Sequence, residues 1–473
     1  MLMTKNNYNK VQSITLQGLE SIVGSDYIST ASDEIEQYGQ DETEDLLFRA
    51  EVIVKPQTVE QVSAIAKLCH SEKIPLTVRG AGTGLSGGAL PIAGGVLMSM
   101  EYFNKILSID ERNLQTTVEP GLINYHLQEA VKKVGLFYPP DPASWGSCSL
   151  GGNIAHSSGG PKAVKYGTTR DYVLNLEVVL VTGEIIWTGA NTLKYSTGYN
   201  LTHLMIGAEG TLGIVTKIVF KLIPYPQHDL LMLVPFKSAE DACKSVAEVF
   251  KRGIVPSAME FMERDAIDWS MKFSGGVNFD IKAEWEALLL VEVDGNNMDV
   301  LLQDCEVISE VMQNNQCDEI LFADSADQKN ALWKIRRKVG EAVKSNSVYK
   351  EEDTVVPRAE LPQLLKGVKG IGKKYGFKSV CYGHAGDGNL HVNIIKDQLS
   401  DEVWEKELPK AITEIFQLCK ALGGTISGEH GIGLVQKQYM PIVFPEAQLA
   451  LMRGIKKVFD PHYILNPGKI FEP

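Results

Sequence analysis

The sequence predicts an α+β chain: a two-lobed, glycine-rich domain over residues 1–225, an α+β domain with an antiparallel sheet over 226–440, and a closing segment over 441–473. Three observations carry this. From Ala50 onward, strand-like and helix-like runs alternate. Glycine-rich segments recur at residues 79–88, 149–160 and 207–213. Pro224 and Pro226 then end that pattern, and amphipathic helices with β-prone runs take over. At 473 residues and 44% hydrophobic content, the chain can bury the cores that this arrangement needs.

Residues 12–45 read as helix, because Ile14, Leu16, Leu19, Ile22 and Val23 recur at helical rather than strand spacing. The acidic stretch 33–45 within it is expected to be a solvated face or loop. Residues 52–55 follow as a strand, 59–69 as a helix with Val59, Val62, Ile65, Ala66 and Cys69 on one side, and 74–78 as a buried strand. That strand delivers Arg79-Gly80-Ala81-Gly82-Thr83-Gly84-Leu85-Ser86-Gly87-Gly88, where backbone N–H groups are free to form an anion-binding concavity. Gly82-x-Gly84-x-x-Gly87 also spells a dinucleotide fingerprint. Its context excludes that fold, since Pro91, Gly94 and Gly95 follow and lead into a strand, not a helix.

Strands at 95–100, 106–109 and 115–119 are expected to complete the first lobe. The second lobe runs from a helix at 123–134, through strands at 173–181 and 184–188 joined by a Thr182-Gly183 turn, to a strand at 214–223. In the second domain, strands are expected at 230–235, 287–293, 379–383 and 389–395, with helices on one face.

Composition narrows the function. A net charge of −13 argues against nucleic acid or an anionic membrane surface as the main partner. Residues 1–10 are polar, and no apolar run is long enough to span a bilayer, so a cytoplasmic protein is expected. The seven cysteines are scattered and never spaced C-x-x-C, which predicts reduced thiols and excludes an iron–sulfur centre within the chain.

The first glycine segment, with Pro139-Pro140-Asp141-Pro142-Ala143-Ser144, Ser149-Leu150-Gly151-Gly152-Asn153 and Gly207-Ala208-Glu209-Gly210-Thr211-Leu212-Gly213-Ile214, resembles the flavin oxidoreductases of the vanillyl-alcohol oxidase and p-cresol methylhydroxylase (PCMH) type. The resemblance spans roughly residues 40–225 and implies a PCMH-type fold that binds FAD. It places Arg79, Gly80, Ala81, Gly82, Thr83, Gly84 and Leu85 on the pyrophosphate. Pro140, Asp141, Ser144, Ser149, Gly152, Asn153, Glu209, Gly210 and Ile214 are implied as further cofactor contacts, with Asn466 from the Asn466-Pro467-Gly468-Lys469 segment. In such proteins the C-terminal segment returns to the flavin domain. Some members attach flavin through a histidine in the first loop; Thr83 stands there, so the implied FAD is non-covalent.

Two motifs carry the chemistry of the second domain. Gly383-His384-Ala385-Gly386-Asp387-Gly388-Asn389-Leu390-His391-Val392-Asn393 reads as a hairpin. With His384 opposite Asn389, the period of 2 makes His384 and His391 diagonal neighbours, with backbones roughly 7 Å apart. In Gly428-Glu429-His430-Gly431, flanking glycines permit the irregular loop from which a carboxylate and an imidazole can serve one site. Two imidazoles and Glu429 suit a divalent ion, zinc by the ligand set, with positions left open for substrate.

These motifs resemble the C-terminal domain of the FAD-linked D-2-hydroxy-acid dehydrogenases: D-lactate dehydrogenase, the glycolate oxidase flavin subunit and D-2-hydroxyglutarate dehydrogenase. The resemblance makes His384, His391 and Glu429 metal ligands and His430 the catalytic base. It makes Arg336 the carboxylate clamp, with Lys350 as a further contact one residue out of register. The implied reaction oxidises a small 2-hydroxy acid to the 2-oxo acid, with hydride passing to flavin N5. Gly340, where the 2-hydroxyglutarate enzymes carry threonine, favours D-lactate or glycolate. An external acceptor (a quinone, an electron-transfer flavoprotein or a partner subunit) is implied, and a homodimer is one oligomeric state open to the chain. A flavin subunit without independent activity is the alternative. The ether-lipid alkyl transferases share the fold, but their run of adjacent histidines is missing.

Overall fold

The computed structural model describes residues 8–275 and 281–471, so most of the polar start discussed above, residues 1–7, lies outside the described residues. The chain forms two compact units. One comprises Met1–Ser158, Thr168–Tyr225 and Glu429–Pro473; the other comprises Gly159–Gly167 and Pro226–Gly428.

In the first unit, strands Ile28–Ser29, Val52–Val54, Val96–Ser99 and Leu76–Arg79 make a four-stranded sheet in that spatial order. Val52–Val54 and Leu76–Arg79 both run parallel to Val96–Ser99. Helix Val59–Glu72 connects strands Val52–Val54 and Leu76–Arg79, and Thr58 caps it by accepting from Gln61 N. Its inward residues Val62, Ile65, Ala66 and Cys69 share one core with Val52, Val54, Val96, Met98, Val179, Val181 and Ile214, so a single apolar layer joins both sheets of this unit. Near the C-terminus, Leu76 N donates to Ile464 O and Asn466 N to Leu76 O, which adds Leu465 beside the strand that feeds the glycine loop.

The second sheet has the order Ile106–Asp110, Gln115–Val118, Ile214–Lys221, Val173–Val179, Ile185–Trp187 and is antiparallel throughout. This corrects the expectation that strands 106–109 and 115–119 complete the first lobe. Their hairpin pairs with Ile214–Lys221 instead. The long helix expected over 12–45 is also corrected: Gly24, at φ +88, ends helix Ser13–Val23, and a separate helix, Ser32–Tyr38, follows. Nor is the acidic stretch wholly solvated. Asp41 is half-buried, and loss of water pushes its carboxyl up from the usual value. Its neighbour Thr43 accepts from Gly87 N at 2.6 Å, so this stretch backs the glycine loop.

The second unit is built on a seven-stranded antiparallel sheet in the order Leu321–Phe322, His228–Phe236, Ala287–Gly295, Ala258–Glu263, Lys378–His384, Asn389–Ile395, Tyr349–Val355. Helices were expected on one face only; the sheet is covered on both, since every residue of Ala258–Glu263 and Asn389–Ile395 is buried. Helices Arg264–Phe273, Ala326–Arg337 and Val339–Asn346 supply Ile267, Leu332, Trp333, Ile335, Val339 and Val343 to the face that carries Leu231, Leu290, Met262 and Tyr382. Helix Leu361–Tyr375 reaches the other through Lys369, which pairs with Glu263.

The excursion Gly159–Gly167 belongs to this unit because its cations neutralise two carboxylates of strand Ala287–Gly295. Lys162 pairs with Glu292, and Lys165 with Asp294 at 2.6 Å. Glu292 also accepts from Ser257 Oγ at 2.7 Å and Trp333 Nε1 at 3.1 Å. Burial works against its charge, but Lys162, together with Ser257 and Trp333, outweighs it and holds the carboxyl below the usual range. Lys162→Met should destabilise the protein by about 3–5 kcal/mol at neutral pH, because it leaves a buried charge uncompensated. A depressed folded pKa gives stability that is present above the unfolded value and lost as pH falls. The gap between wild type and variant in urea melts should therefore shrink below about pH 4.5.

Candidate functional site

In the first unit, the glycine segments converge. Gly80 lies against the helix Leu150–His156, where a Cβ would stand 2.3 Å from Ser149 Oγ. That oxygen accepts from Ala81 N at 3.2 Å and caps the helix through Gly152 N. Gly82, at φ +74, leaves its bare Cα beneath the Arg79 guanidinium, which also lies over the Tyr38 ring at 5.6 Å. Thr83, Gly84 and Leu85 continue the loop, partly exposed.

The third segment ties down the Glu429–Gly433 loop. Glu209, itself at φ +51, accepts from Ile432 N and Gly433 N, each at 2.7 Å. Leu434 N donates to Ser86 O, so the loop that carries Glu429 and His430 is anchored to two glycine segments at once. Asn466 Nδ2 donates to Gly88 O and to Glu209 O, and Lys469 Nζ to Leu90 O. Burial pushes the Lys469 ammonium down to about 7. Gly210, at φ +66, lies beside Asn466, and Ile214 opens the strand that pairs with Val179. Pro140, Asp141 and Ser144 lie in the loop between strand Leu136–Phe137 and Ser149; Asn124 Nδ2 donates to Pro140 O, while Ser144 O accepts from Cys148 N.

Three buried nitrogens of this cradle, Arg79 Nη1, Asn153 Nδ2 and His156 Nδ1, have no hydrogen-bond partner among the described residues. Buried polar groups are normally paired. A cradle of bare glycines edged by orphaned donors fits a large polar cofactor such as FAD.

In the second unit, register places the chemistry on one face. His384 pairs with Asn389, as the hairpin predicts, and His391 stands opposite both Tyr382 and Asp353. Paired residues share a face, and alternate residues along a strand return to it. Glu260, one residue beyond the Phe261 and Gly383 pairing, therefore comes beside His384. The contacts agree. His384 Nδ1 lies 2.9 Å from each Glu260 oxygen, and Arg336 Nη2 lies 2.7 Å from Glu260 Oε2. Burial alone would raise the Glu260 carboxyl, yet the adjacent His384 and Arg336 hold it below the usual carboxylate range.

A second carboxylate lies beside His391. Glu351 Oε1 lies 3.3 Å from His391 Nδ1 and accepts from the Tyr382 hydroxyl at 3.4 Å. Tyr382 stands between the Arg336 guanidinium, 5.1 Å from its ring, and the His391 ring, 5.2 Å away. With Nδ1 of each histidine at a carboxylate, Nε2 is the nitrogen that could ligate an ion, the usual support for a metal-binding imidazole. The two rings lie 5.5 Å apart. Asp353 accepts from Asn389 Nδ2, Ser427 Oγ and Gly428 N. Glu429 opens the other unit's last stretch, one peptide bond after Gly428.

Lys350 is corrected. It alternates with Glu351 and Asp353, so it faces away from the histidines, and its ammonium lies over the Trp404 ring at 5.5 Å. Sequence reasoning missed Glu260, Glu351 and Asp353. A signal existed: Glu260 is a carboxylate inside the apolar run Ala258–Glu263, and strand alternation separates Glu351 and Asp353 from Lys350.

Comparison with known proteins agrees with this layout. Residues 225–470 match the family of FAD linked oxidases, C-terminal domain, and residues 50–189 match an FAD binding domain. The chain is 38% identical over 477 residues to D-lactate dehydrogenase of Anaerostipes hadrus, covering 99% of each. It is 36% identical to glycolate oxidase subunit GlcD of Bacillus subtilis (strain 168), covering 92% of each. The structure of p-cresol methylhydroxylase with substrate bound superposes with TM-score 0.78 at 18% identity, over 97% of this chain and 96% of that one, and so shares its fold. Gly80→Ala, which drives a methyl into Ser149 Oγ, should weaken FAD binding about tenfold or more, a loss of ~1.4 kcal/mol. Titrating apoprotein with FAD at 450 nm measures this.

Proposed function

This chain belongs to the FAD-linked oxidases, and we propose that it oxidises a D-2-hydroxy acid, D-lactate or glycolate before 2-hydroxyglutarate, to the 2-oxo acid. The observation that carries the reading is Glu260, the buried carboxylate that fixes His384 and Arg336 side by side on one sheet face. FAD, held by the glycine cradle, supplies a two-electron acceptor for the hydrogen on the substrate's Cα. A divalent ion held by His384 and His391 with Glu429 supplies positive charge that acidifies the substrate's hydroxyl. Arg336 orients the carboxylate with the guanidinium donors that Glu260 leaves available, including the buried Nε. His430 takes the hydroxyl proton, a task suited to an imidazole near neutral pH.

Two features support a monocarboxylate substrate. The face beside His391 carries Glu351 and Asp353, whose charge repels a second substrate carboxylate, while the cation Lys350 points the other way. Gly340 leaves room for Tyr382: a Cβ there would come within 3.2 Å of its hydroxyl. The relatives named D-lactate dehydrogenase and glycolate oxidase subunit act in the same direction. Electrons then pass to an external acceptor, a quinone, an electron-transfer flavoprotein or a partner subunit, because the scattered cysteines offer no cluster.

Mixed anaerobically with D-lactate or glycolate, the purified protein should bleach at 450 nm, and a chelator should slow it. His430→Asn should keep its FAD yet lose about 10²–10⁴-fold in bleaching rate; full-rate bleaching in that variant removes His430 from the mechanism. Bleaching without turnover of an artificial dye would point to a required partner subunit. Glu260→Gln should weaken divalent-metal binding roughly 10–100-fold. Calorimetric titration with zinc reads that directly, and unchanged affinity would separate Glu260 from metal binding.

A further inference from the structure

We propose that His156 hydrogen-bonds the bound flavin through Nδ1 and raises its reduction potential. His156 ends the helix Leu150–His156, whose N-terminal cap, Ser149, meets the first glycine loop. Its imidazole lies among three glycines from two different segments. A Cβ on Gly88 would stand 3.3 Å from its Cε1 and Nε2, one on Gly84 3.9 Å from Nε2, and one on Gly431 2.5 Å from Nδ1. The ring is therefore held by packing against bare backbone.

Its Nδ1 is buried and without a partner among the described residues. Leaving such an atom unpaired is costly, so a ligand group is the natural complement. Two orphaned donors, Arg79 Nη1 and Asn153 Nδ2, edge the same cradle. The place of His156 within that cradle indicates which part of the cofactor it meets. Gly431, which faces Nδ1, is bonded directly to His430, and Glu209, which holds the next two backbone N–H groups, would lie 2.9 Å from the same Gly431 Cβ. A base serves the reacting end of the flavin, so His156 belongs to that end as well. Reduction adds electron density to the ring system. A fixed donor there stabilises the reduced form more than the oxidised form and lifts the potential.

The inference rests on flavin binding and on the placing of His430, and its test uses no hydroxy acid, so a wrong substrate leaves it standing. Photoreduction of the FAD-loaded protein against a reference dye gives the potential. His156→Leu should shift the equilibrium about tenfold toward oxidised flavin, which is ~30 mV for a two-electron couple. His156→Asn, whose amide N–H lies near the position of Nδ1, should stay within about twofold of wild type. A loaded His156→Leu protein with the wild-type potential overturns the proposal. Should that variant fail to hold flavin, 15N-histidine spectra of the wild type decide. The Nδ1 signal assigned by its loss in His156→Asn should move when FAD is added, and an unmoved signal overturns the proposal equally.

Discussion

A single buried carboxylate organises the chemistry of the second unit. Glu260 is fully enclosed, and burial alone would push its carboxyl up, yet His384 and Arg336 hold it below the usual carboxylate range. The arrangement is mutual, because the imidazole and the guanidinium are both fixed by the same anion. An imidazole so held presents Nε2 in one direction, and a guanidinium so held keeps its remaining donors in a known plane. Glu351 lies 3.3 Å from His391 Nδ1 and accepts from the Tyr382 hydroxyl, which places a second carboxylate on the same face. Two histidines seven residues apart become a converging pair because the sheet register places them on one face, and Glu260 stops the His384 ring from turning.

The first unit works by the absence of side chains. Gly80, Gly82, Gly88 and Gly431 each lie where a Cβ would collide with Ser149, Arg79 or His156. Segments far apart in sequence can therefore approach at backbone distance, and Glu209 and Asn466 fasten them by hydrogen bonds to main-chain groups. Such a cradle tolerates little substitution, since the space is already taken by neighbouring polar groups and is not a void to be filled.

Much of this was legible in the sequence where local chemistry decides the outcome. The hairpin register followed from the Gly386-Asp387-Gly388 turn, and with it the pairing of His384 with Asn389. Non-local pairing was less visible. Nothing local in residues 106–118 says that their hairpin joins Ile214–Lys221 rather than the preceding sheet, because that choice is made by strands a hundred residues away. For Lys350 the motif and the strand disagree: alternation with Glu351 and Asp353 turns its side chain away from the histidines and toward Trp404. Glu260 went unnoticed because a carboxylate in an apolar run looks like an edge until its two partners are seen.

The excursion Gly159–Gly167 makes the chain pass between its two compact units four times, at Ser158/Gly159, Gly167/Thr168, Tyr225/Pro226 and Gly428/Glu429. Neither unit is thus a cassette that recombination could lift out with one pair of cuts. A transplanted stretch covering only 226–428 would arrive with Glu292 and Asp294 stripped of Lys162 and Lys165. Any ancestral exchange of the second unit had to carry that nine-residue strap with it, or rebuild its two lysines in the new host.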